Sequence, residues 1–196
     1  MFLEQYSKEE NRKGWIEVIT GSMFSGKTEE LIRRINRVKI AGQKIMVFKP
    51  AMEKRYSTDK VVSHDAKKVE SVAVYKANDI LKFVKDIQVV CIDEAQFFEK
   101  TLTKVCDQMA NSGKRVIVAG LDMDYSGKPF GPMPELLVTA EYITKLHAIC
   151  TNCGELAQYS HRLIPEKEKI VLGEKNEYTP LCRKCYKLVT NKKSIK

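Results

Sequence analysis

The hydrophobic residues of this chain follow two different periods. Between residues 15 and 145, short runs of β-branched and other apolar side chains alternate with segments in which apolar residues recur every three or four positions. The first pattern predicts strands and the second predicts amphipathic helices. Strands are predicted at residues 15–20, 44–48, 89–92 and 115–119, with weaker candidates at 72–75 and 142–146. Such alternation is typical of an α/β domain with a largely parallel sheet.

Two helices are predicted between these strands. The first follows Lys27, and the second covers residues 100–111. The apolar positions that would share one face are Leu31, Ile32, Ile35 and Val38 in the first helix, and Leu102, Val105, Cys106 and Met109 in the second. By contrast, residues 50–68 are polar and charged without a clear period, so we predict a long loop there that orders when a ligand binds.

The pattern changes after Leu146, where pairs of cysteines appear and clear helical periodicity ends. We therefore place a domain boundary at this point. The predicted organisation is a flexible N-terminus at residues 1–13, an α/β domain at 14–146, a small cysteine-containing domain at 147–186 and a disordered basic tail at 187–196.

The composition is that of a globular protein with a substantial core. The 196 residues are 43% hydrophobic and 30% charged, and no apolar run approaches the roughly 20 residues that cross a bilayer. The N-terminal segment is charged and lacks the apolar core of a signal peptide, so we expect a cytoplasmic protein with reduced thiols and no membrane partner. The net charge of +9 indicates an anionic partner, and charge alone leaves nucleic acid, a nucleotide and a phosphorylated metabolite open.

Residues 21–28 have the pattern G-x-x-x-x-G-K-[ST], directly after a predicted strand and at the start of a predicted helix. In this arrangement, backbone N–H groups of a curled loop and the positive end of the helix face phosphate oxygens. Lys27 is expected to reach the β- and γ-phosphates of ATP, and the Thr28 hydroxyl is expected to ligate Mg²⁺. The predicted phosphate-binding residues are Gly21, Ser22, Met23, Phe24, Ser25, Gly26, Lys27 and Thr28.

Two carboxylates follow the predicted strand at residues 89–92. Asp93 is expected to hold the metal ion through water, as the strand-end Asp does in phosphate-loop NTPases. Glu94 is not needed for that metal site, so it is the candidate general base next to the γ-phosphate. The alternative for such a pair is an acid-rich helix N-terminus. The phosphate-binding loop upstream favours the metal and base roles.

Four of the six cysteines form two C-x-x-C pairs that are separated by 28 residues. Four thiolates around one tetrahedral Zn²⁺ suit this spacing in a reducing compartment, and such a site is structural because no position is open to water or substrate. A redox C-x-x-C is the alternative, but it needs one pair only and a thioredoxin-like context. Cys91 and Cys106 occur singly and are expected in the core. The predicted zinc ligands are Cys150, Cys153, Cys182 and Cys185.

Together these motifs resemble the type II thymidine kinases over residues 15–186. The stretches that carry the resemblance are G-S-M-F-S-G-K-T at 21–28, F-K-P at 48–50 with R-Y-S at 55–57, D-E-A-Q-F-F at 93–98, G-L-D-M-D-Y at 120–125, G-K-P-F-G-P at 127–132, and the two cysteine pairs. The resemblance implies a P-loop, RecA-like parallel sheet flanked by helices, followed by a small C-terminal zinc-ribbon lasso domain at 147–186.

The resemblance also implies an activity, which is transfer of the γ-phosphate of ATP to the 5′-hydroxyl of thymidine or deoxyuridine in deoxynucleotide salvage. Glu94 matches the catalytic base of the family, Arg55 an arginine near the phosphates, and Gln96 a nucleotide-contacting position. A homotetramer and feedback inhibition by dTTP are further expectations from the same resemblance.

The segment between the cysteine pairs matches the lasso that closes over the thymine in that family. Its ligand-facing stretch by this match is Lys169, Ile170, Val171, Leu172 and Gly173. The aromatic residues that match positions at the nucleoside are Tyr125, Phe130 and Tyr178. Further expected neighbours of the base pocket are Met23, Phe98, Leu121 and Ser160, and ordinary core packing is the alternative for the apolar ones.

Two other functions compete with this interpretation. A nucleic-acid-dependent ATPase would account for the D-E-A-Q sequence at 93–96, the basic charge and a zinc ribbon. However, such motors use two tandem RecA-like domains, whereas this chain has room for one. A non-catalytic zinc-ribbon binding module would have no use for Glu94 beside a complete phosphate-binding loop. We therefore expect no nucleic-acid partner.

Overall fold

The computed structural model describes residues 13–51, 60–62, 68–164 and 177–193. The strands in this part of the chain are β1 (Trp15–Gly21), β2 (Ile45–Pro50), β3 (Lys60–Val62), β4 (Lys68–Glu70), β5 (Val72–Val74), β6 (Val89–Ile92), β7 (Arg115–Gly120), β8 (Tyr142–Leu146), β9 (Ala148–Ile149), β10 (Leu156–Ala157), β11 (Tyr159–Arg162) and β12 (Tyr178–Leu181). The α-helices are α1 (Lys27–Ile40), α2 (Thr101–Asn111), α3 (Met133–Thr139) and α4 (Arg183–Lys193), and short 3₁₀ helices cover Ala77–Lys82 and Ala95–Phe97.

A six-stranded sheet forms the centre of the α/β domain, in the order β5-β2-β6-β7-β1-β8. All five neighbouring pairs in it are parallel. The carboxyl ends of β6, β7 and β1 therefore lie side by side at one edge, which is where α/β sheets bind ligands. This order brings the segments that follow β1, β6 and β7 together, although they are far apart in the sequence.

Alternation along the strands divides the core into two layers. Ile16 and Val18 of β1 pack in the layer that contains α2 and α3, whereas Ile19 packs against α1 on the opposite face. Helix α1 buries the side that the periodicity predicted, with Leu31, Ile32, Ile35 and Val38 at most 3% exposed. The prediction of a parallel α/β sheet flanked by helices is confirmed.

A cluster of charged side chains is buried between α1 and the sheet. Glu17 of β1 is fully buried, and its carboxylate oxygens lie 2.6 Å from Arg34 Nη1 of α1 and 2.6 Å from Arg115 Nε of β7. Arg34 also bonds Glu30 and the Thr144 hydroxyl, at 2.8 Å each. Removing one partner of such a buried pair costs about 3–5 kcal/mol, because the remaining charge stays in the interior.

The described chain after β8 forms two short strand pairs and a helix around a hydrophobic cluster of its own. Strands β9 and β10 form one antiparallel pair, and β11 and β12 form another. We call residues 148–162 and 178–193, which contain these four strands and α4, the cysteine unit. Its core contains Tyr159 and Tyr186, whose rings stack with centroids 4.4 Å apart, together with Cys150, Cys182 and Cys185.

Two segments differ from the sequence predictions. Residues 60–62 and 68 were expected in a long irregular loop, but β3 pairs with β4 there. Three-residue strands are too short for a period to be recognised. The two strands are antiparallel, and Val61 pairs with Val69 in their register.

Helix α4 is the second difference, since a disordered tail was expected from residue 187 and helical periodicity was expected to end earlier. The helix continues to Lys193. Its first turns are attached to the core of the cysteine unit by Tyr186 and Val189, and the Thr190 hydroxyl donates to the Tyr186 carbonyl at 2.9 Å. The prediction of a disordered tail rested on the lysines of this segment and did not consider its apolar residues. Within the described ranges, no helix combines the length and apolarity that a bilayer crossing requires.

Candidate active site

The phosphate-binding loop begins where β1 ends and leads into α1, as predicted. Gly21 has φ +148°, and a Cβ there would lie 2.2 Å from the Leu146 carbonyl oxygen, so only glycine allows β8 to approach so closely. Lys27 Nζ donates to the Ser22 carbonyl at 2.6 Å and is thereby held across the loop. Burial lowers the pKa of Lys27, while the charges of Glu94, Asp93 and Asp122 oppose that shift. The loop therefore holds its ammonium group close to the acidic residues of the site.

The two carboxylates after β6 have different surroundings. Asp93 is buried, and burial together with the charge of Glu94 raises its pKa above the usual range. Glu94 is exposed and has φ 52° and ψ 37°, in the left-handed region that residues other than glycine seldom adopt. Such conformations are found at functional sites, where the surroundings hold them. Here the Glu94 N–H donates to Asp93 Oδ1 at 2.9 Å.

The Gln96 side chain joins this acidic pair to the segment after β7. Its Nε2 donates to Glu94 Oε2 at 2.5 Å, and its Oε1 accepts from the Leu121 N–H at 2.9 Å. The side chain is only 2% exposed. The sheet order thus brings Glu94, Gln96 and Leu121 together, three residues that the resemblance assigned to the site.

Two of the three aromatic residues predicted at the nucleoside, Tyr125 and Tyr178, contact the buried side chain of Arg162. The guanidinium of Arg162 stands 3.7 Å from the centre of the Tyr125 ring, which is the geometry of a cation–π contact. Its Nε and Nη2 donate to the Tyr178 hydroxyl at 3.3 and 3.1 Å. Phe130 packs edge-on against Phe97, with centroids 5.6 Å apart. Both tyrosines are thus held together through Arg162.

The phosphate-binding loop is also attached to the cysteine unit. The Met23 N–H donates to the Ser160 hydroxyl at 2.9 Å, and the Ser22 hydroxyl donates to the Ala157 carbonyl at 3.3 Å. Phe24 packs against the core of that unit. Ser160 therefore touches the loop that it was expected to neighbour. Phe98, also expected near the base, is buried in the α/β core.

The four predicted zinc ligands come together in the cysteine unit. The sulfur atoms of Cys150, Cys153, Cys182 and Cys185 all lie within 4.8 Å of one another. The Sγ atoms of Cys153 and Cys182 are 3.6 Å apart, close to the edge of about 3.8 Å expected for a tetrahedron with Zn–S bonds of about 2.3 Å. Among the residues that the structure describes, this is the only group of three or more His, Cys, Asp or Glu side chains placed to hold one metal ion.

The thiols of this cluster differ in acidity. Burial favours the neutral form of Cys150, but backbone N–H donors from Cys182, Asn152 and Cys153 reverse that effect and lower its pKa. Burial and the neighbouring sulfur atoms raise the pKa of Cys185. A divalent cation would stabilise the thiolate form of all four, so the donor set fits a structural zinc ion.

Some candidate site residues lie outside the described residues, and two further residues near the site were not predicted from the sequence. Arg55 and residues 169–173 belong to the first group. Arg162 and Asp122 belong to the second. Asp122 lies two residues after β7, whereas Asp93 directly follows β6. The Asp122 carboxylate lies 2.9 Å from Lys145 Nζ. The position of Asp122 after a buried strand was a usable signal, whereas nothing in the sequence near Arg162 indicated its contact with Tyr125.

The parallel sheet, the glycine-rich loop between β1 and α1, and the strand-end acids are the features of a phosphate-loop nucleotide-binding protein. The family model described as thymidine kinase matches residues 14–186. This chain therefore belongs to the thymidine kinase family.

Individual relatives agree with the family. A thymidine kinase of Bacteroides thetaiotaomicron is 54% identical over 186 residues, which cover 95% of this chain and 94% of that protein. A thymidine kinase of Rhodothermus sp. is 57% identical over 173 residues, with 88% and 81% covered. Among solved structures, the Legionella pneumophila ATPase DotB has a TM-score of 0.39 and 14% identity over 65% of this chain and 34% of that chain.

Proposed function

We propose that this enzyme transfers the γ-phosphate of ATP to the 5′-hydroxyl of thymidine and deoxyuridine, giving the 5′-monophosphate. The observation that carries the proposal is the placement of the exposed Glu94 carboxylate at the end of β6, beside the Lys27 loop at the end of β1. Family membership over residues 14–186 supports thymidine as the nucleoside.

In this proposal, the chain acts mainly by positioning and by electrostatics. The backbone N–H groups of residues 21–28 and the Lys27 ammonium bind the phosphates and stabilise the charge that develops on the transferred group. Glu94 accepts the proton of the 5′-hydroxyl as the new P–O bond forms and the bond to ADP breaks. Thr28 and Asp93 are the residues to hold Mg²⁺, which neutralises phosphate charge when it is bound.

The nucleoside pocket is proposed to combine both parts of the chain. Leu121, Tyr125 and Phe130 come from the segment after β7, whereas Ser160 and Tyr178 come from the cysteine unit. Support for this comes from the contacts of Arg162 with Tyr125 and Tyr178. Arg55, Met23, Phe98 and residues 169–173 complete the proposed set of ligand contacts. Structural zinc, a homotetramer, cytoplasmic location and inhibition by dTTP are parts of the same proposal.

The test is an ADP-release assay with ATP, Mg²⁺ and one acceptor at a time. We expect turnover with thymidine and deoxyuridine, and none with deoxycytidine, deoxyadenosine or single-stranded DNA. Turnover stimulated by DNA alone would reject the proposal in favour of a nucleic-acid-dependent ATPase.

The role of Glu94 is tested by Glu94→Gln, which keeps the shape of the side chain and removes its basicity. We expect kcat to fall by about 10²–10⁴-fold, the usual contribution of a general base. The dissociation constants of ATP and thymidine, measured by calorimetry, should stay within a few-fold because the base acts chiefly in the transition state. Loss of nucleoside binding as large as the loss of turnover would contradict the assignment.

A further inference from the structure

Gln96 is the buried polar side chain whose contacts differ most from the role expected for it. The resemblance placed it at the nucleotide, yet both ends of its amide are bound within the protein. Oε1 accepts from the Leu121 N–H at 2.9 Å, and Nε2 donates to Glu94 Oε2 at 2.5 Å. A backbone N–H can only donate, so Leu121 requires Oε1 on its side and directs the NH₂ group toward Glu94. The orientation of the amide therefore follows from its partners.

Two glycines show how closely neighbouring segments pack on Gln96, Gly120 at its side chain and Gly131 at its backbone. A Cβ at Gly120 would lie 2.9 Å from Gln96 Oε1, and a Cβ at Gly131 would lie 2.2 Å from the Gln96 carbonyl oxygen. Gly131 also has φ +53°, which disfavours any other residue there. The segments before and after the proposed pocket residues thus pack directly on Gln96. Its side chain, 2% exposed, has little freedom to reorient.

Glu94 depends on such a neighbour because it is exposed to solvent. An unrestrained glutamate exchanges among several rotamers, and ordering it has an entropic cost. A general base must lie within hydrogen-bond reach of the proton that it takes. The Gln96 amide holds one oxygen, Oε2, by a hydrogen bond. Among the described residues, Oε1 of Glu94 has no hydrogen-bond donor, so this oxygen can accept the substrate proton.

We propose that Gln96 is a positioning residue that orients the Glu94 carboxylate through its Nε2 hydrogen bond, and that it does not itself bind the nucleotide. This inference rests on the proposed function, because it assumes that Glu94 is the base. It also connects the base to the pocket, since the N–H that orients Gln96 belongs to Leu121. Movement of the Leu121 backbone would be passed to Glu94 through one side chain.

The first test is Gln96→Glu. This change keeps the length of the side chain and an oxygen for the Leu121 N–H, but it replaces the donor that faces Glu94 with a second acceptor. We expect kcat to fall by about 10–100-fold, the scale at which misplacement of a reacting group acts. KM for ATP and KM for thymidine should stay within about threefold. The control is Gln108→Glu on the exposed side of α2, which adds the same charge away from the site and should leave kcat unchanged.

The outcomes separate this inference from the proposed function. A raised KM for ATP with unchanged kcat in Gln96→Glu would indicate a nucleotide contact and overturn the positioning role. Wild-type kinetics in Gln96→Glu, together with an inactive Glu94→Gln, would reject the role of Gln96 alone. Full activity of Glu94→Gln would reject the assignment of the base itself.

A second readout is independent of turnover. In protein labelled with ¹⁵N-glutamine, the side-chain NH₂ resonances of Gln96 are identified by their disappearance in Gln96→Glu. The proton that faces Glu94 should appear downfield, and Glu94→Ala should move it upfield while the other glutamine side chains keep their shifts. Unchanged Gln96 resonances in Glu94→Ala would contradict the hydrogen bond on which the inference depends.

Discussion

The α/β domain and the cysteine unit are stabilised in different ways. The sheet domain packs hydrophobic layers on both of its faces. The cysteine unit has one small core, and three of the eight buried residues in that core are cysteines. Burial of apolar area can hold the first together, whereas a unit of the second size usually needs a metal or a disulfide. The α/β domain and the cysteine unit both supply residues to the proposed pocket. Activity is therefore lost when the less stable of the two, the cysteine unit with its smaller core, unfolds.

Metal removal should separate the two regions most strongly. Structural zinc contributes on the order of 10 kcal/mol to folding of small metal-binding units, so a chelator under reducing conditions should disorder the cysteine unit. The tyrosine signal of Tyr159 and Tyr186 in near-UV circular dichroism should be lost. The single tryptophan, Trp15 of β1, should keep its native fluorescence because it reports on the sheet.

Cys182→Ser is the matching variant, since it removes one ligand and leaves the sheet unchanged. It should bind less than one zinc per chain and show the same loss of tyrosine signal. If the Trp15 fluorescence changed together with the tyrosine signal, both regions would be unfolding at once. That result would contradict the view that they are stabilised in different ways.

The reverse experiment destabilises the sheet through its buried charges. Glu17→Gln leaves Arg34 and Arg115 without the carboxylate that lies 2.6 Å from each, so we expect a loss of about 3–5 kcal/mol in the free energy of unfolding. Urea denaturation followed by Trp15 fluorescence measures the loss. The zinc content of the folded protein should stay unchanged. A loss of less than about 1 kcal/mol in the free energy of unfolding would contradict this prediction, because it would show that water solvates the buried charges.

The connection between the two regions is probed by Ser160→Ala. This change leaves the Met23 N–H in the phosphate-binding loop without its acceptor, which costs at least ~1 kcal/mol and corresponds to about a fivefold weaker interaction. Calorimetric titration should therefore show weaker ATP binding. Ser160→Thr keeps the hydroxyl and should retain ATP affinity, whereas unchanged ATP binding in Ser160→Ala would mean that the cysteine unit does not support the loop.

The smallest effect is expected at the surface of α1. Arg33 and Arg34 both pair with Glu30, but the Arg33 side chain is 47% exposed and that of Arg34 is 2% exposed. Arg33→Gln should change the free energy of unfolding by at most ~0.5 kcal/mol, because solvent screens such a pair. A larger loss in the same urea titration would show that exposure does not distinguish the two arginines.

Local patterns in the sequence predicted the sheet domain and most of the site. The phosphate-binding loop, the strand before Asp93 and the two cysteine pairs each lie within a few residues, and their chemistry follows from spacing. Helix α1 was predictable because one face of it is continuously apolar. In these cases the local preference and the tertiary environment agree.

What the sequence did not predict depends on contacts between distant segments. Glu17 joins Arg34 and Arg115 because a helix and two strands meet there, and no local pattern marks a buried ion pair. Arg162 was overlooked because its partners, Tyr125 and Tyr178, lie on other elements. Gln96 was recognised, but its amide partners depend on the neighbouring positions of β6 and β7.

The hydrogen bond from Met23 to Ser160 spans 137 residues of sequence, which has a consequence for synthesis of the chain. At a translation rate of about 5–20 residues per second, the phosphate-binding loop leaves the ribosome about 7–27 s before the serine that supports it. Cys182 and Cys185, which complete the group of four cysteines, follow later still. A nascent chain can therefore build its sheet early, but it completes the nucleotide site only near the end of translation.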